Sequence, residues 1–297
     1  MTARVRYEEV RCKAALSRVE GMGFRWSLNP YRGCVHGCHY CFARRYHYLL
    51  ELDPSADFAG IIFVKVNAPE ALALQLSAPS WRREEVAIGT ATDPYQPIEG
   101  RYRLTRRCLE ALATFRTPAT IVTKGTMAVR DADVLTELAR RGGCTVCFSV
   151  STLDPDLWRK LEPGTPPPWQ RLRAMERLVG AGVRAGVLLA PIVPMLTDGR
   201  ASLEAVARAA AAHGASFLGA NVLHLREGTR EHFLAFLEQE YPELLAAYRA
   251  LYPTGFAPRR FQERLHAQVR ELKETYLAPE RAPAQRPPAP RQLALVP

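Results

Sequence analysis

Short apolar runs alternate with helix-like segments over most of the chain, and this alternation limits the folds available to it. The apolar runs are short enough to be β-strands and lie at residues 26–29, 61–66, 86–91, 120–123, 144–150, 184–192 and 216–223. Strands that alternate with helices form a parallel sheet with right-handed crossovers. Six or seven such units are too few for an eight-fold barrel. The sequence therefore predicts an α/β fold, a partial (β/α)6-type TIM barrel of mostly parallel strands.

The chain divides into four predicted segments. After Gly228 the strand-like runs stop, and helices are predicted at about 230–237, 242–251 and 258–276. From Ala278 onward Pro, Ala and Arg dominate, a composition that predicts a disordered or extended tail. The predicted organisation is an N-terminal extension (1–25), a barrel (26–228), a helical C-terminal extension (229–277) and a Pro/Ala/Arg-rich tail (278–297).

The cysteine content and the apolar pattern bear on the compartment. The chain has 297 residues and seven cysteines, three of which fall within eight residues. A secreted disulfide scaffold is usually shorter, so a reducing, cytoplasmic setting is expected. The first residues do not join a basic region to an apolar run, so no signal peptide is expected. Arg184 interrupts the apolar run at 179–194, and no membrane span is predicted.

The formal charge of +10 has two interpretations, which the sequence leaves open. Residues 1–50 carry nine Lys or Arg against three Glu, a surplus that is typical of proteins that contact a polyanion. Thirty-five of the 40 basic residues are Arg, in a chain rich in Ala and Pro, and genome composition also produces this pattern. A nucleic acid is therefore a candidate partner, and a plain solvated surface is the alternative.

The most informative stretch is a loop with three closely spaced cysteines. Cys34, Cys38 and Cys41 follow a Cys-x3-Cys-x2-Cys spacing, and Gly33 and Gly37 allow the backbone angles of a compact loop. Such a loop can bring three thiolates to one soft metal centre. A cubane cluster has four irons and normally takes four thiolates, so three cysteines leave one iron open to chemistry. The loop follows the first predicted strand, at the face where barrels place active sites.

Two other metal sites remain open at this point. Structural zinc would use His36 or His39 as the fourth ligand, although no second pair of cysteines lies nearby. An electron-transfer cluster would need a distant fourth cysteine, which Cys144 or Cys147 could supply. Residues three apart in a strand point to opposite faces, so the pair could not act together. A cluster with one open iron is the preferred interpretation.

The cysteine loop resembles the signature of the radical S-adenosylmethionine (SAM) superfamily, Cys-x3-Cys-x-aromatic-Cys, with Tyr40 as the aromatic residue. The resemblance covers about residues 20–225. The strings at 29–44, 90–99 and 122–124 look most like the branch that contains spore photoproduct lyase. This resemblance implies a [4Fe-4S] cluster on the three cysteines, with SAM chelating the open iron. An external one-electron donor of the flavodoxin or ferredoxin type would reduce the cluster, and a 5′-deoxyadenosyl radical would abstract a substrate hydrogen.

The resemblance also implies SAM contacts. Tyr40 would lie near the adenine, and Thr92 and Asp93 match polar SAM contacts of this branch. The carboxylate of Asp93 suits the SAM ammonium by charge-assisted hydrogen bonding. Lys124 would reach the SAM carboxylate or ribose, and an exposed strand-end lysine is the alternative reading.

Strand parity adds two serines to these contacts. In the run at 144–150, Ser149 shares a face with Cys147 and, one step further, with Ser151, and this face should point into the barrel. Ser149 or Ser151 would then meet SAM, or either could be a hydrogen-bonded core serine. Cys147 is expected to be a small buried packing residue.

Two residues depart from the lyase pattern. Thr90 stands where the lyase has the cysteine that returns a hydrogen atom to the product radical, and Phe42 stands where it has a tyrosine. The O–H bond of threonine is far stronger than a thiol S–H bond. The chain is therefore predicted to share the cofactor chemistry and not to repair spore photoproduct efficiently.

The substrate is not identified by the sequence. The loop after Asp93 supplies the candidate substrate contacts, with a solvated Pro-rich loop as the alternative, and these are Tyr95, Gln96, Glu99 and Arg101. Arg103, Arg106 and Arg107 could extend a basic rim for a phosphate backbone. Three functions stay open: a radical SAM enzyme that acts on a nucleic acid, one that acts on a peptide or small metabolite, and a zinc-stabilised binding module.

Overall fold

The computed structural model describes residues 5–277 and contains two β-sheets. The predicted tail at 278–297 lies outside the described residues. The strands, in chain order, are β1 (Arg6–Val10), β2 (Leu16–Arg18), β3 (Trp26–Leu28), β4 (Tyr31–Arg32), β5 (Ile61–Lys65), β6 (Val86–Ile88), β7 (Ala119–Thr123), β8 (Cys144–Ser149), β9 (Arg184–Ile192) and β10 (Leu218–Val222).

The larger sheet confirms the predicted partial barrel. Its strand order is β10-β9-β8-β7-β6-β3-β2. β3 and β6 to β10 run parallel, and β2 is antiparallel to β3. The six parallel strands place their carboxyl ends along one edge. The edge strands β10 and β2 do not pair with each other, so the barrel is open.

The apolar run at 61–66 forms a strand outside the barrel. β5 lies in a three-stranded sheet of order β1-β5-β4, parallel to β1 and antiparallel to β4. Ile62 and Val64 pack with Tyr31 in a hydrophobic cluster separate from the main core. An apolar run indicates that a strand has buried faces, but its sheet depends on which distant strand it pairs with. Here that partner is β1, from the N-terminal segment.

Helices connect the parallel strands and follow the last of them. They are α1 (Arg45–Tyr48), α2 (Asp57–Gly60), α3 (Ala68–Ser77), α4 (Glu99–Tyr102), α5 (Leu104–Thr114), α6 (Ala132–Arg141), α7 (Pro155–Leu161), α8 (Pro168–Gly180), α9 (Arg200–Ala212), α10 (Thr229–Glu240), α11 (Leu245–Leu251) and α12 (Arg259–Tyr276). The start of α7 shows how local sequence sets a boundary. The Asp154 carboxylate accepts hydrogen bonds from the first-turn amides of Asp156 and Leu157, and Pro155 occupies the first helical position.

The helices pack on the outside of the sheet and leave its inner face to a cavity. α8 packs on β8 and β9, and α12 packs on α9 and β10. Along β8 and just beyond it, Val146, Phe148 and Val150 lie in the main core, whereas Ser149 faces the cavity. None of the helices between residues 5 and 277 is both long and apolar enough to cross a bilayer.

Candidate active site

A cavity of about 530 Å3 opens at the carboxyl ends of β3, β6, β7 and β8. This volume lies in the range of small-molecule and cofactor sites. Cys34, Cys38 and Cys41 all line it. Polar residues at the neighbouring strand ends line the same cavity, and we call four of them the strand-end wall: Thr92, Asp93, Lys124 and Ser149.

The cluster loop, residues 33–44, is anchored to the strand-end wall through the carbonyl of Gly33. That oxygen accepts hydrogen bonds from Thr92 Oγ1 at 2.6 Å and from Gln96 Nε2 at 3.1 Å. Gly33 has φ +80°, and a Cβ there would lie 2.6 Å from the carbonyl oxygen of Ile61. The position therefore requires glycine, because both the backbone angle and the space exclude a side chain.

A buried arginine supports the cluster loop from within. Arg44 donates from Nε to the carbonyl of Cys38 at 3.1 Å and from Nη2 to that of Gly37 at 2.7 Å. Nη1 donates to the carbonyl of Pro54 at 2.6 Å, and the guanidinium lies 4.8 Å from the ring centre of Phe58. Sequence reasoning missed Arg44, although it lies three residues after the last cluster cysteine. The burial of Arg44 depends on backbone carbonyl acceptors, whose positions cannot be predicted from the sequence.

The three thiols are suited to a metal centre and not to a free thiolate role. Burial is the main cause that raises their pKa values, to about 12 for Cys38. Without a metal these groups hold their protons, and metal binding would release them. Three soft sulfur donors on one buried loop fit a [4Fe-4S] cluster that leaves one iron without a cysteine.

The geometry does not support the other two hypotheses, structural zinc and an electron-transfer cluster with a fourth cysteine. His36 Nδ1 lies 3.3 Å from Asp93 Oδ2, and His39 Nδ1 lies 3.0 Å from His232 Nε2. Both candidate zinc ligands are therefore engaged elsewhere. Within residues 5–277, no group of three or more His, Cys, Asp or Glu is arranged to hold a single metal ion. Cys144 and Cys147 are buried in β8 and do not line the cavity.

Asp93 is buried and surrounded by donors from its own chain. Oδ1 accepts from Thr123 Oγ1 at 2.6 Å and from the amide of Tyr95 at 2.9 Å, and Oδ2 accepts from the amide of Lys124 at 2.6 Å. Burial alone would raise the pKa of this carboxyl, but His36 and these hydrogen bonds hold it below its usual range. A carboxylate has about four lone-pair sites, so Asp93 meets a ligand mainly through its charge.

Lys124 and Tyr40 belong to a buried network around Glu162, a residue that sequence reasoning missed. The hydroxyl of Tyr40 donates to Glu162, and Arg171 Nη2 pairs with the same carboxylate. Lys124 Nζ lies 5.4 Å from the ring centre of Tyr40. Burial opposes the charge of Lys124, but Glu162 raises its pKa above the ordinary value. The ammonium therefore stays charged beside the cavity.

The two predicted serines occupy different places. Ser149 lines the cavity at the end of β8. Ser151 lies behind it, where its hydroxyl is 3.3 Å from the Tyr40 hydroxyl, and it is not part of the cavity lining. Thr92 reaches the cavity, but its hydroxyl proton is used on the Gly33 carbonyl. Among Ser149, Ser151 and Thr92, the hydroxyl of Ser149 has the fewest hydrogen-bond partners within the protein.

The four candidate substrate contacts in the loop after Asp93 are not among the residues that line the cavity. Tyr95, Gln96 and Glu99 are buried and absent from the lining. The side-chain amide of Gln96 makes two hydrogen bonds to the cluster loop. Its Nε2 donates to the carbonyl of Gly33, and its Oε1 accepts from the backbone amide of Val35 at 3.2 Å. In the structure Gln96 therefore supports the cluster loop, and substrate contact by the four residues stays a prediction. Sequence alone could not separate the two, because a polar residue suits either setting.

Glu99 and the neighbouring arginines form ion pairs on the outer side of the barrel. Glu99 accepts from Tyr31 and pairs with Arg130 at 3.1 Å. Arg106 pairs with Asp133 at 2.7 Å and Arg107 pairs with Glu70, whereas Arg101 packs its guanidinium 5.2 Å from the Tyr102 ring. Arg103, Arg106 and Arg107 do not line the cavity. The expected basic rim is therefore not formed at its mouth.

Thr90 and Phe42, the two departures from the lyase pattern, both line the cavity. The hydroxyl of Thr90 accepts a hydrogen bond from Asn29 Nδ2 at 3.1 Å. The ring of Phe42 lies 5.5 Å from that of His224. Neither side chain carries a thiol or phenol group that could pass on a hydrogen atom.

The sequence matches the family profile described as the radical SAM superfamily over residues 28–210. It is 41% identical, over 298 aligned residues, to an uncharacterized protein of Mycobacterium tuberculosis, with 99% of this chain and 87% of that protein covered. An uncharacterized protein of Methanocaldococcus jannaschii is 25% identical over 82% of this chain and 86% of its own length.

Solved structures of spore photoproduct lyase have a similar fold. One, with bound AdoMet and dinucleoside spore photoproduct, superposes with a TM-score of 0.71 at 18% identity, covering 91% of this chain and 78% of that chain. Another, complexed with dinucleoside spore photoproduct, also has a TM-score of 0.71, at 17% identity over 91% of this chain and 79% of that chain.

Proposed function

This chain belongs to the radical SAM superfamily and is an enzyme of that class, and we propose that Cys34, Cys38 and Cys41 hold a [4Fe-4S] cluster next to bound SAM. The observation that carries the proposal is that the three thiols line the same cavity as Asp93 and Lys124. A carboxylate and an ammonium at neighbouring strand ends are complementary to the zwitterionic end of SAM. Membership of the superfamily implies the cluster and SAM, and the charges of Asp93 and Lys124 in the cavity are complementary to those of SAM.

When bound, the cluster and SAM supply reductive cleavage of a sulfonium bond and abstraction of a substrate hydrogen atom. The protein's own residues position the ligand and exclude water. Lys124 offers its ammonium to the SAM carboxylate or ribose, and Ser149 offers a hydroxyl from the next strand. Asp93 favours the SAM ammonium through its charge. Tyr40, whose hydroxyl donates to Glu162, would lie near the adenine.

Thr92 and Ser151 act behind these contacts. Thr92 bonds the Gly33 carbonyl and so keeps the cluster loop at its distance from the strand ends. Ser151 lies by the Tyr40 hydroxyl and supports the orientation of that ring. An external one-electron donor of the flavodoxin or ferredoxin type would reduce the cluster.

We favour a nucleic acid or nucleotide as the substrate, with a peptide or small metabolite as the alternative. Spore photoproduct lyase, whose fold this chain shares, has been solved with dinucleoside spore photoproduct. The net charge of +10 agrees with an anionic substrate. Thr90 has no thiol with which to return a hydrogen atom, so we expect no efficient repair of spore photoproduct. Clean repair of that lesion at a useful rate would contradict this expectation.

The test of the proposed function is anaerobic reconstitution with iron and sulfide, followed by dithionite and SAM. Wild-type protein should bind about four irons per chain and release 5′-deoxyadenosine. Cys38→Ala should lose both iron and product, whereas Cys12→Ala, which removes a part-buried thiol outside the cavity, should keep both. A redox-silent metal in the wild type, or full activity of Cys38→Ala, would refute the proposal. Deuterium transfer from labelled candidates into 5′-deoxyadenosine would then identify the substrate.

A further inference from the structure

The cavity has a second charged side, formed by the small sheet and the edge of the barrel. Arg32 in β4, Lys65 at the end of β5 and Arg18 at the end of β2 all line the cavity, and we call them the cationic wall. β4 and β5 pair so that Tyr31 lies opposite Val64. Tyr31 and Val64 pack inward in the hydrophobic cluster of the small sheet. Arg32 and Lys65 are alternate to them and extend from the other face.

The cations of this wall have no protein partner. Between residues 5 and 277, the side chains of Arg18, Arg32 and Lys65 make no hydrogen bond, ion pair or ring contact. Asp93 is the one carboxylate among the described residues that line the cavity, and its oxygens already face the Thr123 hydroxyl, two backbone amides and His36. No acidic group is therefore left to neutralise the cationic wall.

The position of these cations is unfavourable without a ligand. Arg32 and Lys65 are both half-buried, and burial, followed by the charge of Arg32, lowers the pKa of Lys65. A cation that is taken out of water without a partner destabilises the fold. Other arginines of the barrel avoid this penalty by pairing with carboxylates, as Arg106 does with Asp133. An anion that enters the cavity would remove the penalty.

The cofactors of the proposed function, on which this inference rests, do not neutralise the wall. Three thiolates on an oxidised [4Fe-4S] core carry one net negative charge, and zwitterionic SAM carries one net positive charge through its sulfonium, so the two cancel. Before the cluster is reduced, the SAM-loaded site therefore has no anion to spare for the cationic wall, which leaves the wall to an anion of the substrate. The two or three positive charges of this wall are more than a single carboxylate can neutralise. A phosphate, with several oxygens for an arginine fork and an ammonium, matches them better.

We propose that Arg32 and Lys65, with Arg18 at the mouth, bind a phosphate group of the substrate. Thr90 and Asn29 line the cavity between the two walls. A substrate held by its phosphate at the cationic wall would extend past Thr90 toward the cluster cysteines. This subsite selects substrates by charge at a distance from the carbon that reacts.

The test is calorimetric titration of reconstituted, SAM-loaded protein with inorganic phosphate at low salt. Arg32→Gln and Lys65→Gln should each weaken phosphate binding about tenfold or more. Arg32→Lys, which keeps the charge, should retain part of the affinity. The matched controls Arg173→Gln and Lys13→Gln, at exposed positions outside the cavity, should bind as the wild type does. Absent phosphate binding, or equal affinity in Arg32→Gln and wild type, would overturn the proposal.

Further titrations distinguish the sources of the phosphate. Tighter binding of thymidine 5′-monophosphate supports a nucleotide substrate, whereas tighter binding of an oligonucleotide without terminal phosphates supports a nucleic-acid strand. The second case should also show affinity that falls steeply as salt rises. Acetate that binds as tightly as phosphate would overturn the assignment to phosphate.

SAM affinity separates this subsite from the cofactor site. SAM should bind Arg32→Gln and wild type equally, and a parallel loss of SAM and phosphate affinity would assign the wall to the cofactor and overturn the proposal. Release of 5′-deoxyadenosine by the wild type tests the proposed function separately. If that product is absent, the proposed function fails, while the phosphate titrations still decide the role of Arg32 and Lys65.

Discussion

The two charged sides of the cavity differ in how their charges are satisfied. On the strand-end wall, Asp93 accepts hydrogen bonds from its neighbours, and Lys124 lies near the buried carboxylate of Glu162. On the cationic wall, Arg32 and Lys65 have no carboxylate within reach in the described part of the chain. Both walls line the same cavity.

One cavity can therefore have a rigid side and a side that accepts a ligand. Charges that are paired within the protein contribute to folding and hold a fixed geometry. Charges that are left unpaired oppose folding slightly and are free to meet a ligand. Substitution of the paired Asp93 should therefore reduce stability, whereas substitutions on the cationic wall should reduce phosphate binding without a loss of stability.

The largest expected effect follows from removing the charge of Glu162. Glu162→Gln leaves the buried Arg171 without its carboxylate partner and removes the negative charge near Lys124, so we expect a loss of about 3 to 5 kcal/mol in the free energy of unfolding. Urea denaturation of the metal-free protein measures it. The control Glu110→Gln removes an exposed partner of Arg106 and should lose less than about 1 kcal/mol. If both variants lost the same free energy of unfolding, the buried carboxylate of Glu162 would contribute no more to stability than an exposed one.

Asp93→Asn should destabilise the fold by about 2 kcal/mol at neutral pH, because it weakens charge-assisted hydrogen bonds from Thr123 and Lys124. The folded-state pKa of Asp93 lies below its usual value, so its contribution is present above the ordinary pKa near 3.8 and is lost as pH falls below that value. The stability difference between wild type and variant should therefore shrink in acid. A difference that stays constant down to pH 3 would contradict this assignment.

The link between the cluster loop and the strand-end wall can be tested at two glycines. Gly33→Ala should lose about 1 to 3 kcal/mol and much of the bound iron, because its Cβ would meet the Ile61 carbonyl at 2.6 Å. Gly37 also has a positive φ, +62°, but the nearest atom to a Cβ there is 3.7 Å away. Gly37→Ala should therefore cost less. Denaturation and iron content compare the two, and a larger loss at Gly37 would break the argument.

The smallest effect is expected on the cationic wall. Lys65→Met removes an unpaired, half-buried ammonium, so the free energy of unfolding should stay equal or rise by up to about 1 kcal/mol. Urea denaturation in an anion-poor buffer measures this. Added phosphate should stabilise the wild type more than Lys65→Met, because a ligand that binds only the folded state stabilises it. A clear destabilisation by Lys65→Met would show that the ammonium has a structural partner.

Sequence patterns identified most of the barrel and misplaced one strand. The runs at 86–91, 120–123, 144–150, 184–192 and 216–223 each overlap a parallel strand of the main sheet. The run at 61–66 is equally apolar but pairs with β1, more than fifty residues away. Hydrophobic periodicity reports that a segment is buried, and it carries no information on the partner strand.

At the active site, the sequence was informative where chemistry depends on spacing and misleading where it depends on burial. The cysteine spacing predicted one loop, and all three thiols line one cavity. Gln96 and Glu99 were expected to meet substrate, but their polar atoms are used inside the protein. Arg44 and Glu162 gave no signal, because buried charged residues look like surface residues in a sequence.

The alternation of strands and helices, the three-cysteine loop and the family of the chain can all be predicted from the amino-acid sequence, since each rests on residues close together along the chain. Which charges are paired depends on contacts that form when the chain folds. Tyr40 and Glu162 are 122 residues apart, and Asp93 and Thr123 are 30 apart. Electrostatic interactions act through space, so the contrast between the paired and the unpaired wall exists only once the chain has folded.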